Sequence, residues 1–495
     1  MPKPQPASGD PDGQLSYEPV PELRERADHL LGRLESWLGQ DRLPADPAQA
    51  LLAIASALGH PPDLVTRWLS TSAGDSFLCY LEGGVDAALI VEGILRGGPA
   101  HDLPPHLPEV HRLTTVSQAV SALLHREVVV GSRRGVWAAD VAKPPLRSIA
   151  EPPNAAVVHG PHTGFVEDLA TNLALIRQFL ASPDLRLMTL RLGEWTQSTV
   201  TVAYLAPLVP APVLRWVRRR LRQVNLRGFV DASRLAMALG GPPWLPITQY
   251  SERPDQVAAA LLQGRVAILV ELSPSVLLIP ARLSDLLASP GDYYQLPLTG
   301  SLTRMARYVG LLVATTLPAV YVAALTVNPA FIPLALYLTT VRTRLSIPFP
   351  AVVETVIMLV VVDIVQEAGL IMPGALGQTV TIFGTLILGD AAIRAGVVSA
   401  PTLITVTLAI LAQFLVPDGN LSNLLRVLRY ALIPVAAVFG FVGVVTAWIA
   451  LLAVSVKVRS AGVPYLSPLA PWRPGGWRDT VLRWPSRTQR QIPKP

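Results

Sequence analysis

Cysteine is almost missing from this chain. Cys79 is the single one in 495 residues, which excludes an intrachain disulfide and a multi-cysteine metal site. Charge is scarce too: Asp, Glu, Lys and Arg make up 15% of the residues against 51% hydrophobic ones. With a mean hydropathy of +0.41, that balance is unusual for a soluble protein and ordinary for one partly embedded in a membrane. The start, Met1 to Gly13, is polar and rich in Pro and Gly, and has no apolar run of signal-peptide type. The first 300 residues are therefore expected to stay unexported and to face the cytoplasmic side. Residues 20–300 contain no nucleophile triad, phosphate loop, dinucleotide fingerprint or zinc spacing. No enzyme activity and no cofactor are expected.

The charge that is present is unevenly spread. Residues 301–495 hold 15 Lys+Arg and 6 Asp+Glu, a balance of +9; of the totals 41 and 35, this leaves 26 and 29, or −3, for residues 1–300. Basic residues beside apolar spans suit an anionic membrane surface rather than nucleic acid. The composition divides the chain into a disordered leader (1–20), two α/β subdomains (21–160 and 161–300), a membrane domain (301–460) and a basic tail (461–495). The tail carries Trp472 and Trp477, residues that suit a membrane–water interface.

Period-3.6 patterns predict helices at Leu23–Leu38, Ala48–Leu58, Val85–Leu95, His111–Leu124, Phe165–Leu180 and Val213–Val224, and one from Pro254 that stops at Gly264. Strands are expected at Ser76–Leu81, Leu185–Leu192, Thr199–Leu205, from Val266 onward and at Val276–Pro280. Glu127–Val130 and Val136–Val141 make a hairpin across a Gly-Ser-Arg-Arg-Gly turn. Beyond Tyr308 the spans Gly310–Val327, 349–368, Gly374–Leu388, Ala400–Val416 and Tyr430–Val456, with the short Phe331–Thr340, give about four to six membrane helices.

Few chemistry-bearing residues stand out in the α/β region. His159 and His162 have a His-x-x-His spacing that zinc accepts, but nothing downstream completes a ligand set; a loop capping the following helix explains them better. Arg215, Arg218, Arg219, Arg220 and Arg222 form a basic helix face. Without interleaved aromatics other than Trp216, it reads as solvated rather than phosphate-binding.

The informative stretch is Pro348–Gly369, apolar enough for a bilayer yet carrying Glu354, Asp363 and Glu367. Ionisable residues in a span are expensive and mark a pathway or a buried partner. On a helix, Val356, Leu359, Val360, Asp363 and Glu367 share one stripe and Glu354 lies opposite. Either this stripe lines a water-filled space, or Asp363 and Glu367 simply reach the interface at a helix end. Asp390 and Arg394, four apart, are expected to pair with each other.

With these residues laid out, the chain resembles the A subunit of the GerA-type nutrient germinant receptors of bacterial endospores, over roughly residues 75–475. The carrying strings are Glu252–Val270 (beginning Glu252-Arg253-Pro254-Asp255-Gln256), Ile347-Pro348-Phe349-Pro350-Ala351-Val352-Val353-Glu354, Glu367-Ala368-Gly369, Gly377-Gln378 and Gly462–Pro471. Gly160-Pro161, Gly164-Phe165 and Thr171-Asn172 match as well. The resemblance implies a spore inner-membrane protein that acts in germination with a permease-like B subunit and a lipoprotein C subunit. It further implies assembly as a homo-oligomer, a pentameric ring, and nutrient-gated release of monovalent cations. A paralogue in the same family, stage V sporulation protein AF, is the alternative; a membrane transporter would be expected to show two related helical halves, which are not evident. Family members commonly carry Glu at the position of Leu359 and Arg at that of Gln366. Their acidic stripe is thus reduced here to Asp363 and Glu367, beside a hydrophobic constriction formed by Val356, Leu359 and Val360. Glu354 is expected to pack between helices.

Overall fold

A computed structural model describes residues 41–71, 74–86, 90, 109–142, 160–224, 226–228, 231–242, 244–371, 384, 387–471 and 480–483. The leader, the helix expected at Leu23–Leu38, most of Val85–Leu95, His159 and most of Gly374–Leu388 lie outside them. Contacts divide the chain into one unit of Met1–Leu146 with Ala181–Pro183 and a second of Arg147–Leu180 with Asp184–Pro495.

The first unit is an antiparallel sheet ordered β1-β2-β4-β5-β3, from β1 (Leu64–Thr71), β2 (Gly74–Leu81), β3 (His111–Leu113), β4 (Glu127–Ser132) and β5 (Gly135–Asp140). Helices α1 (Pro47–Leu58) and α2 (Val116–Leu124) cover one face. Ala50, Ile54, Phe77, Cys79, Val116, Leu123 and Val129 interlock there. Gly131 pairs with Phe77 across the sheet, and a Cβ at Gly131 would come 2.1 Å from that ring; the glycine leaves room for the aromatic. The expected helix His111–Leu124 is corrected here. Its first three residues pair with Val136–Ala138 as an edge strand, and the helix starts after Thr115, whose side chain accepts from Gln118 N while Gln118 returns the bond.

In the second unit the α/β part is again antiparallel, ordered β6-β7-β9-β10-β8: β6 (Leu185–Leu192), β7 (Ser198–Leu205), β8 (Gln249–Ser251), β9 (Val266–Val270) and β10 (Val276–Ile279). It is sandwiched by α3 (Leu169–Phe179) and α6 (Pro254–Leu262) on one face and by α4 (Ala211–Gln223) and α5 (Ala232–Ala238) on the other. Alternation sorts the layers: Ala267, Leu269, Val276 and Leu278 go to the first core, Val266, Ile268, Val270, Leu277 and Ile279 to the second. Because β9 is buried on both faces, it reads as an unbroken apolar run. At Gly264 φ is +78° and an added Cβ would meet Leu208 O at 2.5 Å, so only glycine ends α6 there.

After two short helices, α7 (Leu283–Leu287) and α8 (Gly291–Tyr294), come the long ones: α9 (Pro297–Thr326), α10 (Leu334–Arg344), α11 (Ala351–Ile371), α12 (Ala400–Gln413) and α13 (Gly419–Lys457). α9 and α13 are long and apolar enough to cross a membrane. Val438, Phe439, Val442, Val445 and Ile449 on α13 are all more than half exposed, a patch of the kind that hydrocarbon covers. α13 breaks at Gly440 (φ 61°, ψ −147°); Phe441 N donates to Asn328 Oδ1 at 3.0 Å, so the break is satisfied by protein, as depth in a bilayer requires.

The start of the expected basic tail is not free. Residues 459–464 form a two-stranded turn whose Ser460 Oγ donates to Ile247 O at 2.7 Å and accepts from Ala281 N at 3.0 Å. Tyr465, 1% exposed, accepts from Leu283 N through its carbonyl. Small polar Ser460 reaches two backbone groups buried beside the sheet, which draws the chain back onto the α/β region.

Burial raises the Cys79 thiol to about 12, so almost none is thiolate at neutral pH. Iodoacetamide at pH 8 is expected to leave the folded protein unlabelled and to label it stoichiometrically in denaturant, read by mass spectrometry.

Candidate functional site

α11 is the helix on which the carboxylates fall, and the structure sorts them differently from the expected stripe. Val353, Val360, Ile364 and Glu367 are exposed among its described side chains, spaced 7, 4 and 3 apart and therefore one face. Val356 is half-buried at the edge of that face. Leu359 is 0% exposed and packs with Val322, Met358, Val362, Val406, Ile410 and Ile433. The expectation that Leu359 faces an open space is thus corrected: within the protomer it is core. At about 100° per residue, the uncovered stripe is turned roughly 50° from the expected one, towards Val353 and Ile364.

Asp363 is corrected in the same sense. Its side chain is 15% exposed and turned towards α13, where Tyr430 OH donates to Oδ2 at 2.7 Å and Arg429 Nη2 stands 3.7 Å from Oδ1. Arg429 is 0% exposed. Asp363 Oδ1 and the three guanidinium nitrogens of Arg429 have no hydrogen-bond partner among the described residues. Nothing in residues 349–368 alone pointed to Arg429 and Tyr430, which lie more than 60 positions on. The signal that was available is Arg429 itself, an arginine at the start of an apolar span.

Glu354, on the opposite side of α11, is 0% exposed and fully engaged. Its Oε1 accepts from Ser399 N and Oγ, both at 2.6 Å, and its Oε2 accepts from Arg344 Nε at 3.1 Å. It thereby joins α10, α11 and the N-cap of α12. Asp390 and Arg394 meet at 2.8 Å on an exposed surface.

Three further ionic clusters lie between the α/β part and the first turns of α9 in the same unit. Buried Arg253 donates twice to Asp255, at 3.1 and 2.9 Å, and to Pro161 O at 2.8 Å, while Tyr294 OH donates to Asp255 at 2.5 Å. Asp292, 1% exposed, accepts from Arg307 at 2.6 Å and Arg304 at 3.4 Å. Asp285 accepts from Arg282 N, Nε and Nη2. Burial alone would raise its carboxyl, but the Arg282 and Arg265 guanidiniums outweigh this and hold it below the usual range. Asn172 is similarly structural, exchanging bonds with Val166 N and O.

No group of three or more metal-ligating side chains comes together among the described residues. In the first unit a shallow cavity of about 280 Å³ is lined by His111, Arg112, Gln118, Ser121, His125 and Glu127, with His111 Nε2 3.4 Å from Glu127 Oε2.

Residues 53–495 match the family described as Bacillus/Clostridium GerA spore germination protein. The chain belongs to the GerA family. Among similar proteins, an uncharacterized membrane protein of Bacillus subtilis, YfkQ, is 32% identical over 490 residues, 95% of each chain. Spore germination protein B1 of the same organism is 31% identical over 79% of this chain and 80% of its own, and spore germination protein A1 is 34% identical over 70% and 72%. The crystal structure of the N-terminal domain of the A subunit of the Bacillus megaterium spore germinant receptor GerK3 aligns with 48% of this chain and 95% of its own, at 22% identity and a TM-score of 0.36.

Removing Glu354 would leave the buried Ser399 N–H without its acceptor and the half-buried Arg344 guanidinium without its charge partner, a loss on the order of 1–3 kcal/mol. Glu354→Ala is expected to lower the apparent Tm of the detergent-solubilised chain well below that of Asp390→Ala, since an exposed pair contributes only about 0–1 kcal/mol. Thermal scanning fluorimetry of both variants reads the difference.

Proposed function

We propose that this GerA-family chain is a membrane subunit of a spore germinant receptor and forms, as a homo-oligomer, the conduit through which monovalent cations leave the spore. It would cross the spore inner membrane several times, work beside a permease-like B subunit and a lipoprotein C subunit, and catalyse no reaction. The observation that carries this reading is the uncovered face of α11. A helix whose other sides are packed by its own protomer presents Val353, Val360 and Ile364, ending in the carboxylate of Glu367. Copies arranged in a ring with that face inward would make an apolar constriction with an acidic rim, which attracts cations and gates by dewetting. Val356 lies at the margin of that lining, and Leu359 supports it from behind. The membership of relatives named as spore germination proteins supports the cellular role.

The test is cation release from spores carrying the full chain. Val360→Trp, on the uncovered face, is expected to abolish most potassium release on germination while protein level and oligomeric size stay at wild type. Normal release from that variant at normal level would refute the conduit assignment. The accessory reading, a stage V sporulation AF-like protein, predicts instead that germination slows while receptor-triggered release still begins on time.

A further inference from the structure

The carboxylates of Glu354 and Asp363 on α11 are held in very different ways. Glu354 has three short hydrogen bonds, two from Ser399 and one from Arg344. Asp363, more than two helical turns further on, has one hydrogen bond from Tyr430 and a guanidinium 3.7 Å away that does not reach hydrogen-bond distance. Arg429 is wholly buried, and its Nε, Nη1 and Nη2 find no hydrogen-bond partner among the described residues. A buried ion pair offsets its desolvation only with close geometry and satisfied donors. The Asp363–Arg429 contact has neither, so it binds α11 to α13 weakly.

The position of Asp363 on the helix gives this contact a consequence. It sits beside the uncovered stripe of Val353, Val360, Ile364 and Glu367, roughly 70° from its centre at about 100° per residue. A twist taken up between the firmly held Glu354 and Asp363, about 8° per residue on the roughly 100° of an α-helix, would carry Asp363 out of reach of Arg429 and onto the open face, one turn from Glu367. The two states differ in where one negative charge lies: neutralised by Arg429 when turned in, facing the conduit when turned out.

We propose that Asp363, Arg429 and Tyr430 form the releasable latch of the conduit, holding α11 in a closed rotation in which the Asp363 carboxylate is withheld from the ion path. The proposal rests on the conduit reading above and assigns its regulation. In it Arg429 and Tyr430 are positioning residues: they touch no ion, and they set which way Asp363 points. A bistable element of this kind shifts its population when a contact made in only one state is removed.

The experiment uses spores carrying the full-length chain, with potassium release measured in buffer without any nutrient and membrane protein level measured alongside. Arg429→Met, similar in length and uncharged, is expected to raise nutrient-free release by roughly 5- to 150-fold, the range of a state-specific coupling. Asp363→Asn keeps the Tyr430 hydrogen bond and loses the charge pair, so it is expected to raise release by less. The exchange Asp363→Arg with Arg429→Asp restores the pair and is expected to return release towards the wild-type baseline. Combining Val360→Trp with Arg429→Met is expected to silence the leak. If Arg429→Met is lost from the membrane, Asp363→Asn decides in its place. Wild-type baseline release from these single variants, at wild-type level, overturns the latch. If Val360→Trp blocks release while the Arg429 and Asp363 variants stay tight, the latch fails and the conduit stands; if Val360→Trp has no effect on release, the conduit itself fails.

Discussion

Apolar side chains line the inside of the helical bundle, and that constraint governs how its polar groups are placed. Each must find its partner in the protein. Asn328 answers the backbone left open at Gly440, Thr316 takes the Trp448 indole N–H, and Thr402 bonds the Tyr321 hydroxyl. Ser399, as N-cap of α12, turns its own N–H and hydroxyl to Glu354. Helix positions in this part of the chain are therefore set at a few polar points, while apolar side chains fill the space between them. Against that pattern the loose pairing at Asp363 is an exception.

The α/β region and the bundle base meet through charge. Arg253, Asp255 and Tyr294 form one set of charge-assisted bonds reaching the loop at Pro161, and Asp292 with Arg304 and Arg307 a second reaching the first turns of α9, the two meeting on the short helix α8. Such bonds are directional, and they fix α8 against both neighbours. Several strings that resemble other germination proteins, among them Glu252-Arg253-Pro254-Asp255 and Gly160-Pro161, occupy these junctions.

Much of the α/β region was legible from periodicity, because β9 and β10 alternate between two cores and α4 has a buried face of Val213, Val217 and Leu221. Glycine punctuation was legible too, at Gly264. Short edge strands such as β3 and β8 were not: three residues carry no period, and their pairing depends on partners far along the chain. The Thr115–Gln118 capping box was a readable signal for the start of α2 that the longer apolar pattern obscured. On α11 the stripe was legible, and its angle was not. The sequence pattern places carboxylates on the wet side by default, whereas Asp363 turns inward because Arg429 and Tyr430, on a helix distant in sequence, stand there to meet it.

The return of the chain at Ser460 has a consequence for biosynthesis. The backbone groups of Ile247 and Ala281 that bond Ser460 wait 213 and 179 residues for that partner. At a translation rate of about 5–20 residues per second, the edge of the sheet beside them stays unsealed for roughly 10–40 s while the intervening helices are made. Completion of the α/β region thus waits until α13 has been made, so a chain truncated between Lys457 and Ser460 keeps every described helix and still carries an unfinished domain.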